Sequence, residues 1–313
     1  MIFLKKVNIG NSNIVASNIG LGLMRSPEHS DQEVADLLDT AYEAGIDFFD
    51  NADVYTNGEA EKRFGAALKK SSLTRDNIVI QTKVGIVSDG NENIRYDFSK
   101  QHILEAVNGS LQRMGLDYVD ILLLHRPDPL LEPEEIAEAF KTLQNEGKVR
   151  RFGVSNFNPM QVQLVQQALD TKLIANQLQL SLMHTGMINF GMHTNMTDPA
   201  SLNHDGSILE FSRLKNMTIQ AWSPYQYGFF DGTFIDNAKF PTLNEVLHKM
   251  ARKYDTNKNA VAAAWILRIP GSMQVIAGTM NAKRLKQIAE ADKVKLTAQE
   301  WYDLYFAAGN DLP

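Results

Sequence analysis

A chain of 313 residues is long enough for one large domain or two modest ones, and 44% apolar with 22% charged residues is the composition of a soluble globular core. A net charge of −6 without a basic run argues against non-specific binding to nucleic acid or a membrane surface, and the absence of cysteine excludes disulfides, thiolate catalysis and cysteine-based zinc sites. No apolar run approaches membrane-spanning length and the first residues lack the order of a signal peptide, so a cytoplasmic protein is expected.

Residues 7–15 alternate around Gly10-Asn11 and predict a small hairpin ahead of the main fold. A strand over 17–23 follows. Ser30 or Asp31 then caps a helix with apolar positions at Val34, Leu37, Leu38, Ala41 and Tyr42, stopped by Gly45. Ile46, Phe48 and Phe49 predict a short buried strand that ends abruptly in Asp50-Asn51-Ala52-Asp53, with a helix over 59–70 behind it. The alternation continues with a strand over 78–84, a helix from a Ser99 cap to Met114, and a nearly solid apolar strand over 118–125 of the kind buried on both faces. Pro133-Glu134-Glu135 opens a helix that closes at Gly147, with acidic residues where the helix dipole favours them. Further strands are predicted over 152–157, 175–181, 218–225 and 274–279, with a helix from Pro159 after the first of these.

Eight strand-then-helix units predict a parallel (β/α)8 barrel in the α/β class, and the absence of a linker predicts one domain over 1–313. Three pieces exceed the minimal barrel. Residues 182–205 form a long stretch rich in Met, His, Asn and Gly, predicted as a loop that serves as a pocket wall or lid. Helices are predicted over 242–254, ahead of the 259–268 helix, and at the C-terminus over 297–307.

In such a barrel the chemistry gathers at the C-terminal strand ends, so the polar residues closing the apolar runs are expected to meet. These are Asp50 with Tyr55 in its loop, Lys83 and His125. Singly, Lys83 reads as a snorkelling strand end and His125 as a satisfied core histidine. Together on three adjacent strands they make a catalytic set. A Lys83 ammonium near the Tyr55 phenol is expected to lower its pKa and make it a better proton donor. Asp50 holds Lys83 charged, and His125 directs a substrate oxygen.

These residues stand in motifs that resemble the aldo-keto reductase family over nearly the whole chain, from Gly20 to about Ala291. The motifs are Asp50-Asn51-Ala52-Asp53-Val54-Tyr55, Gln81-Thr82-Lys83, Leu123-Leu124-His125-Arg126-Pro127-Asp128, Gly153-Val154-Ser155-Asn156-Phe157, Asn176-Gln177, Ala221-Trp222-Ser223-Pro224, and Gly278-Thr279 with Arg284. The bacterial oxidoreductase branch is the nearest in character. The resemblance implies a reductase of small-molecule aldehydes or ketones that uses NADPH, with Asp50, Tyr55, Lys83 and His125 as the catalytic tetrad. It also implies that Trp222 stacks on the nicotinamide and that Ser155, Asn156 and Gln177 bond its carboxamide. The main chain after Ser223, with Gly278 and Thr279, takes the phosphates, Arg284 takes the adenosine 2'-phosphate, and Gly22 and Met24 approach the cofactor. Two positions depart from the family pattern: Gln287-Ile288 where many relatives carry Glu-Asn, and Ala277 where a proline is usual.

His184, His193 and His204 lack metal-ligand spacing and read as loop residues, with Met183, Met187, Met192 and Met196 as an adaptable apolar wall, so no metal is expected. Substrate preference is expected to rest on Arg25, Val54, the loop after His125, residues 182–205 and the C-terminal tail. Two rival functions are a cofactor-binding regulatory subunit of the same fold and a Schiff-base aldolase with Lys83 as nucleophile.

Overall fold

The protein, as a computed structural model, is described over residues 4–88 and 94–312. A hairpin of β1 (Lys6–Asn8) and β2 (Val15–Ser17) precedes eight parallel strands. In barrel order these are β3 (Ile19–Gly22), β4 (Phe48–Asp50), β5 (Val79–Val84), β8 (Val119–Leu124), β9 (Val149–Ser155), β10 (Leu173–Gln179), β11 (Thr218–Trp222) and β12 (Met273–Ala277), and β12 pairs with β3 to close the ring. A second small hairpin, β6 (Ile86–Val87) with β7 (Arg95–Tyr96), follows β5 and was not expected; two-residue strands carry no readable alternation.

The outer layer comprises α1 (Asp31–Glu43), α2 (Glu59–Leu68), α3 (Lys100–Met114), α4 (Pro133–Asn145), α5 (Pro159–Ala168), α6 (Gly186–Met192), α7 (Ile208–Lys215), α8 (Pro241–Lys253), α9 (Lys258–Leu267), α10 (Ala282–Ala289) and α11 (Ala298–Ala307). Local chemistry sets their starts. Ser30 forms a capping box with Glu33, Ser99 accepts from the His102 amide, and Pro133 and Pro159 occupy first turns where no N–H is needed. C-terminal α11 locks onto α9 through stacked Trp265 and Trp301, 4.8 Å between centroids, whose indole N–H groups each donate to the other residue's carbonyl oxygen.

Two expectations are corrected. Residues 182–205 are not a plain loop: they contain α6, which forms because Met187 and Ile188 bury themselves in the core, and His193 behind it is buried between Asp198 and Asp311. The seventh barrel strand stops at Trp222 rather than 225, because Ser223 turns the chain with φ of 49°.

The two-residue period of the strands sorts the barrel interior into three tiers. At the bottom, Phe48, Ile121 and Ala175 belong to an apolar cluster with Ile9, Ile14 and Ala16 of the N-terminal hairpin, which plugs that end. The fit is tight: Gly10 lies so close to the Ile174 carbonyl that a Cβ would sit 2.1 Å from its oxygen. In the middle, Gln177, Gln220 and Gln274 stand at paired positions on neighbouring strands, with Gln81 bonded to Gln220 across the interior. At the top, the same inward registers deliver Asp50, Lys83, His125 and Trp222.

Candidate active site

Lys83 is fully buried, and three acceptors surround its ammonium. Nζ donates to Asp50 Oδ2 at 2.8 Å, to the Asn51 carbonyl at 2.6 Å and to Tyr55 Oη at 3.2 Å. Burial opposes that charge, but Asp50 and Tyr55 overcome it and hold the Lys83 pKa above its ordinary value. The other oxygen of Asp50 accepts from Gln81 Nε2 at 2.7 Å and Gln177 Nε2 at 3.2 Å. The glutamine tier is a polar floor that aims the carboxylate: Gln220 accepts from Gln81 and Gln177, donates to Gln81 and Gln274, and Gln274 ends the chain on the Ser17 carbonyl. A half-satisfied network of this kind would be costly, and this one is closed at both ends. Gln81, Gln220 and Gln274 escaped the sequence reading; their signal is a glutamine in the middle of an otherwise apolar inward row.

Tyr55 and His125 complete the group, edge to face with centroids 5.8 Å apart. Burial pushes the Tyr55 phenol upward, and the Lys83 charge opposes it without reversing the shift. This corrects the expectation of a lowered Tyr55 pKa: desolvation of the phenol outweighs the neighbouring cation, so Tyr55 keeps its proton across the neutral range. Burial, then the positive charges of Lys83 and Arg126, drive the His125 pKa well below the usual histidine range, so the ring is neutral. The four residues predicted as a constellation therefore meet.

They open into a cavity of about 790 Å³ that runs from Arg25 and Met24 past Asp50, Tyr55 and His125 to Gly278, Thr279, Arg284 and Gln287. All ten residues predicted for the cofactor line it: Gly22, Met24, Ser155, Asn156, Gln177, Trp222, Ser223, Gly278, Thr279 and Arg284. The Trp222 indole donates to Asn156 Oδ1 at 3.2 Å, Asn156 Nδ2 donates to Ser155 Oγ at 2.9 Å, and Ser155 Oγ donates to the Gln177 carbonyl at 2.9 Å. This chain of bonds fixes an amide at the edge of the indole. Gln177 spends its amide nitrogen on Asp50 and Gln220, so only its oxygen is left for a ligand, as an acceptor. Nothing lies within 4 Å of where a Cβ on Gly278 would sit, so its backbone faces open space, next to the α10 start that Asn281 caps. Arg284 in the first turn of α10 makes no ion pair among the described residues. An aromatic face, a fixed amide and a cationic helix start at the far end fit a dinucleotide phosphate.

Behind Tyr55 lies a second charged group that the sequence did not disclose. Glu61 of α2 is fully buried and is held by Arg113 of α3 at 2.7 Å and by the Thr82 hydroxyl at 2.6 Å. Asp53 faces the same group with its Oδ1 buried and unpartnered. Burial, then the charge of Glu61, raises the Asp53 pKa to about 7, against weaker opposing pulls from Arg113, the Val54 amide and Lys83. The turn between Tyr55 and α2 places Thr56, Asn57 and Gly58 at φ of 48°, 53° and 86°, three left-handed residues in succession.

The model of the Aldo/keto reductase family matches residues 18–305. The uncharacterized oxidoreductase YcsN of Bacillus subtilis is 34% identical over 302 residues, covering 94% of each chain. A 6-dehydroglucose reductase of Agrobacterium fabrum is 34% identical over 300 residues, 93% of this chain and 94% of that one. Among solved structures, a thermostable aldo-keto reductase in complex with the inhibitor epalrestat superposes with a TM-score of 0.78 at 22% identity, over 97% of this chain and 100% of that one. The Bombyx mori aldo-keto reductase in complex with NADP gives 0.72 at 21% identity, over 98% and 94%. The barrel, the strand-end residues and these matches lead to one conclusion: the chain belongs to the aldo/keto reductase family of oxidoreductases.

Proposed function

We propose that this protein is a cytoplasmic NADPH-dependent reductase that converts an aldehyde or ketone of a small molecule to the alcohol, with Tyr55 as the general acid. The observation that carries the reading is the bond from the buried Lys83 ammonium to Tyr55 Oη, with Asp50 behind it and neutral His125 beside it. When bound, the nicotinamide supplies the hydride to the carbonyl carbon. As negative charge builds on the carbonyl oxygen, Tyr55 Oη gives it a proton, and Lys83 stabilises the phenolate left behind. Neutral His125 donates a hydrogen bond that directs the carbonyl oxygen toward Tyr55, and solvent then restores the phenol proton. Asn156 and Ser155 hold the carboxamide, Trp222 supports the ring, and Arg284 takes the 2'-phosphate. The aldolase alternative is disfavoured because Asp50 and Tyr55 keep Lys83 protonated and so without a free lone pair.

The experiment is a steady-state assay with a reactive aldehyde and each nicotinamide cofactor in turn. Wild-type protein should oxidise NADPH, and Arg284→Leu should raise KM for NADPH by about one to two orders of magnitude while changing NADH little, since only NADPH carries the 2'-phosphate. Equal losses with the two cofactors would remove Arg284 from that contact. A borohydride-trapped adduct on Lys83 without NADPH oxidation would overturn the reductase.

A further inference from the structure

Tyr55 reaches Lys83 from the first position of a short turn whose support lies outside the barrel, on α2 and α3. Two bonds tie this region to β5. The Asp53 amide donates to the Lys83 carbonyl at 3.0 Å, and the hydroxyl of Thr82, next to Lys83, donates to Glu61 Oε1 at 2.6 Å. Glu61 is fully buried, and Arg113 grips its other oxygen through Nε at 2.8 Å and Nη2 at 2.7 Å. The Arg113 side chain in turn packs where a Cβ on left-handed Gly58, the last residue of the Tyr55 turn, would sit. Asp53 stands two residues before Tyr55 and brings a second carboxyl to this pair. The charges near it are Glu61 on α2, Arg113 on α3 and Lys83 on β5. Its Oδ1 is buried without a hydrogen-bond partner, while Arg113 spends Nε and Nη2 on Glu61. A protonated Asp53 tolerates that place. An ionised one has a buried oxygen without a donor beside the charge of Glu61. The residue as a whole is half-buried, so the carboxylate has a way out to water.

We propose that Asp53 is a positioning residue for the reduction: as a neutral acid it lets the turn rest on the Glu61–Arg113 pair with Tyr55 on Lys83, and as a carboxylate it swings toward water and draws Tyr55 out of line. This rests on the reading of Tyr55 as the proton donor and adds the group that makes the donor's placement respond to pH. Asp53 does not line the cavity that holds the tetrad, so it acts through its neighbours. The path is short: two peptide units to Tyr55, and the amide bond to the Lys83 carbonyl. Thr56, Asn57 and Gly58 hold left-handed strain just beyond, and the turn keeps that shape only while its seat is intact. Burial, then the charge of Glu61, places the change of state at about pH 7. Burial lifts the Tyr55 phenol and drives the His125 ring well below the usual histidine range, so neither changes charge in that window.

Single-turnover reduction of a reactive aldehyde by bound NADPH, followed from pH 5.5 to 9 in wild type and Asp53→Asn, tests the proposal. The wild-type rate should fall about five- to tenfold as pH rises, with a midpoint near 7, the size expected when a proton donor is slightly misplaced. Affinity for NADPH should stay within about twofold across the range, because Asp53 is outside the cavity. Asp53→Asn, fixed in the neutral form, should hold the wild-type acid rate throughout. Hydrogen exchange of the amides from Val54 to Gly58 in the free protein, corrected for its intrinsic pH dependence, reads the turn without any turnover. Protection there should drop between pH 6 and 8.5 in wild type and persist in Asp53→Asn. A wild-type rate that is flat through neutrality, a pH limb that survives in Asp53→Asn, or equal changes of protection in both proteins would overturn the role of Asp53 while leaving the reductase standing. Absence of turnover with every aldehyde would overturn both.

Discussion

Asp53 is a carboxylic acid that the fold keeps neutral at mildly acidic pH. Burial of its carboxyl, then the charge of Glu61, which holds the nearby Arg113, keeps a proton on the half-buried Asp53 until the pH reaches about 7. In the unfolded chain it would release that proton near 4. The sign follows from linkage: between these values the folded state binds the extra proton, so stability falls as pH rises, and the loss is complete above about 7. Asp53→Asn, which copies the neutral form, should be as stable as wild type near pH 3.5. Its advantage should grow to at most about 4 kcal/mol by pH 7, the product of a roughly three-unit shift and about 1.4 kcal/mol per unit, and then level off. Urea denaturation of both proteins from pH 3.5 to 8 measures it. A stability difference that does not vary with pH would show that Asp53 does not titrate in this window.

At the scale of elements, the turn from Tyr55 into α2 is the most constrained connection in the site. Gly58 has φ of 86°, and a Cβ there would meet Arg113 Cδ at 2.7 Å and Nε at 2.8 Å. Gly58→Ala therefore combines left-handed strain with displacement of the cation that neutralises buried Glu61, and should cost about 3–5 kcal/mol. Gly147, with φ of 70° but open space around its Cβ position, is the control: Gly147→Ala should cost about 1 kcal/mol from backbone strain alone. Thermal denaturation of the pair separates the two costs, and equal destabilisation would mean that Arg113 moves aside freely. Elements with local signals were legible in the sequence. Ser30 and Ser99 cap where expected, and the solid apolar run of β8 announces burial on both faces. Elements made by tertiary contact were not. No side chain caps α6 and two glycines interrupt it, and it is helical because Met187 and Ile188 find the core. β9 begins at Val149, ahead of its expected start, because Arg150 pairs with Asp120 and lies over Tyr118, which makes a charged pair tolerable in a strand.

Across the whole molecule, one period-two rule places apolar residues, the glutamine tier and the Asp50, Lys83 and His125 side chains on the inward rows. Asp50, Lys83 and His125 could be read from the sequence because each lies at or just past the end of an apolar strand, with Tyr55 in the loop after Asp50, and the barrel brings strand ends together. The glutamine tier and the Asp53–Glu61–Arg113 group could not, because their members are joined only through the closed ring and across helices distant in sequence. In the proposed reaction this architecture presents Tyr55 to the carbonyl oxygen as a proton donor. Stopped-flow reduction of a reactive aldehyde by wild type and Tyr55→Phe, with NADPH affinity measured separately, tests it most directly. The variant loses only a hydroxyl, so it should bind NADPH normally and reduce the aldehyde about two to four orders of magnitude more slowly. Near-native reduction by a variant that binds NADPH normally would contradict the account.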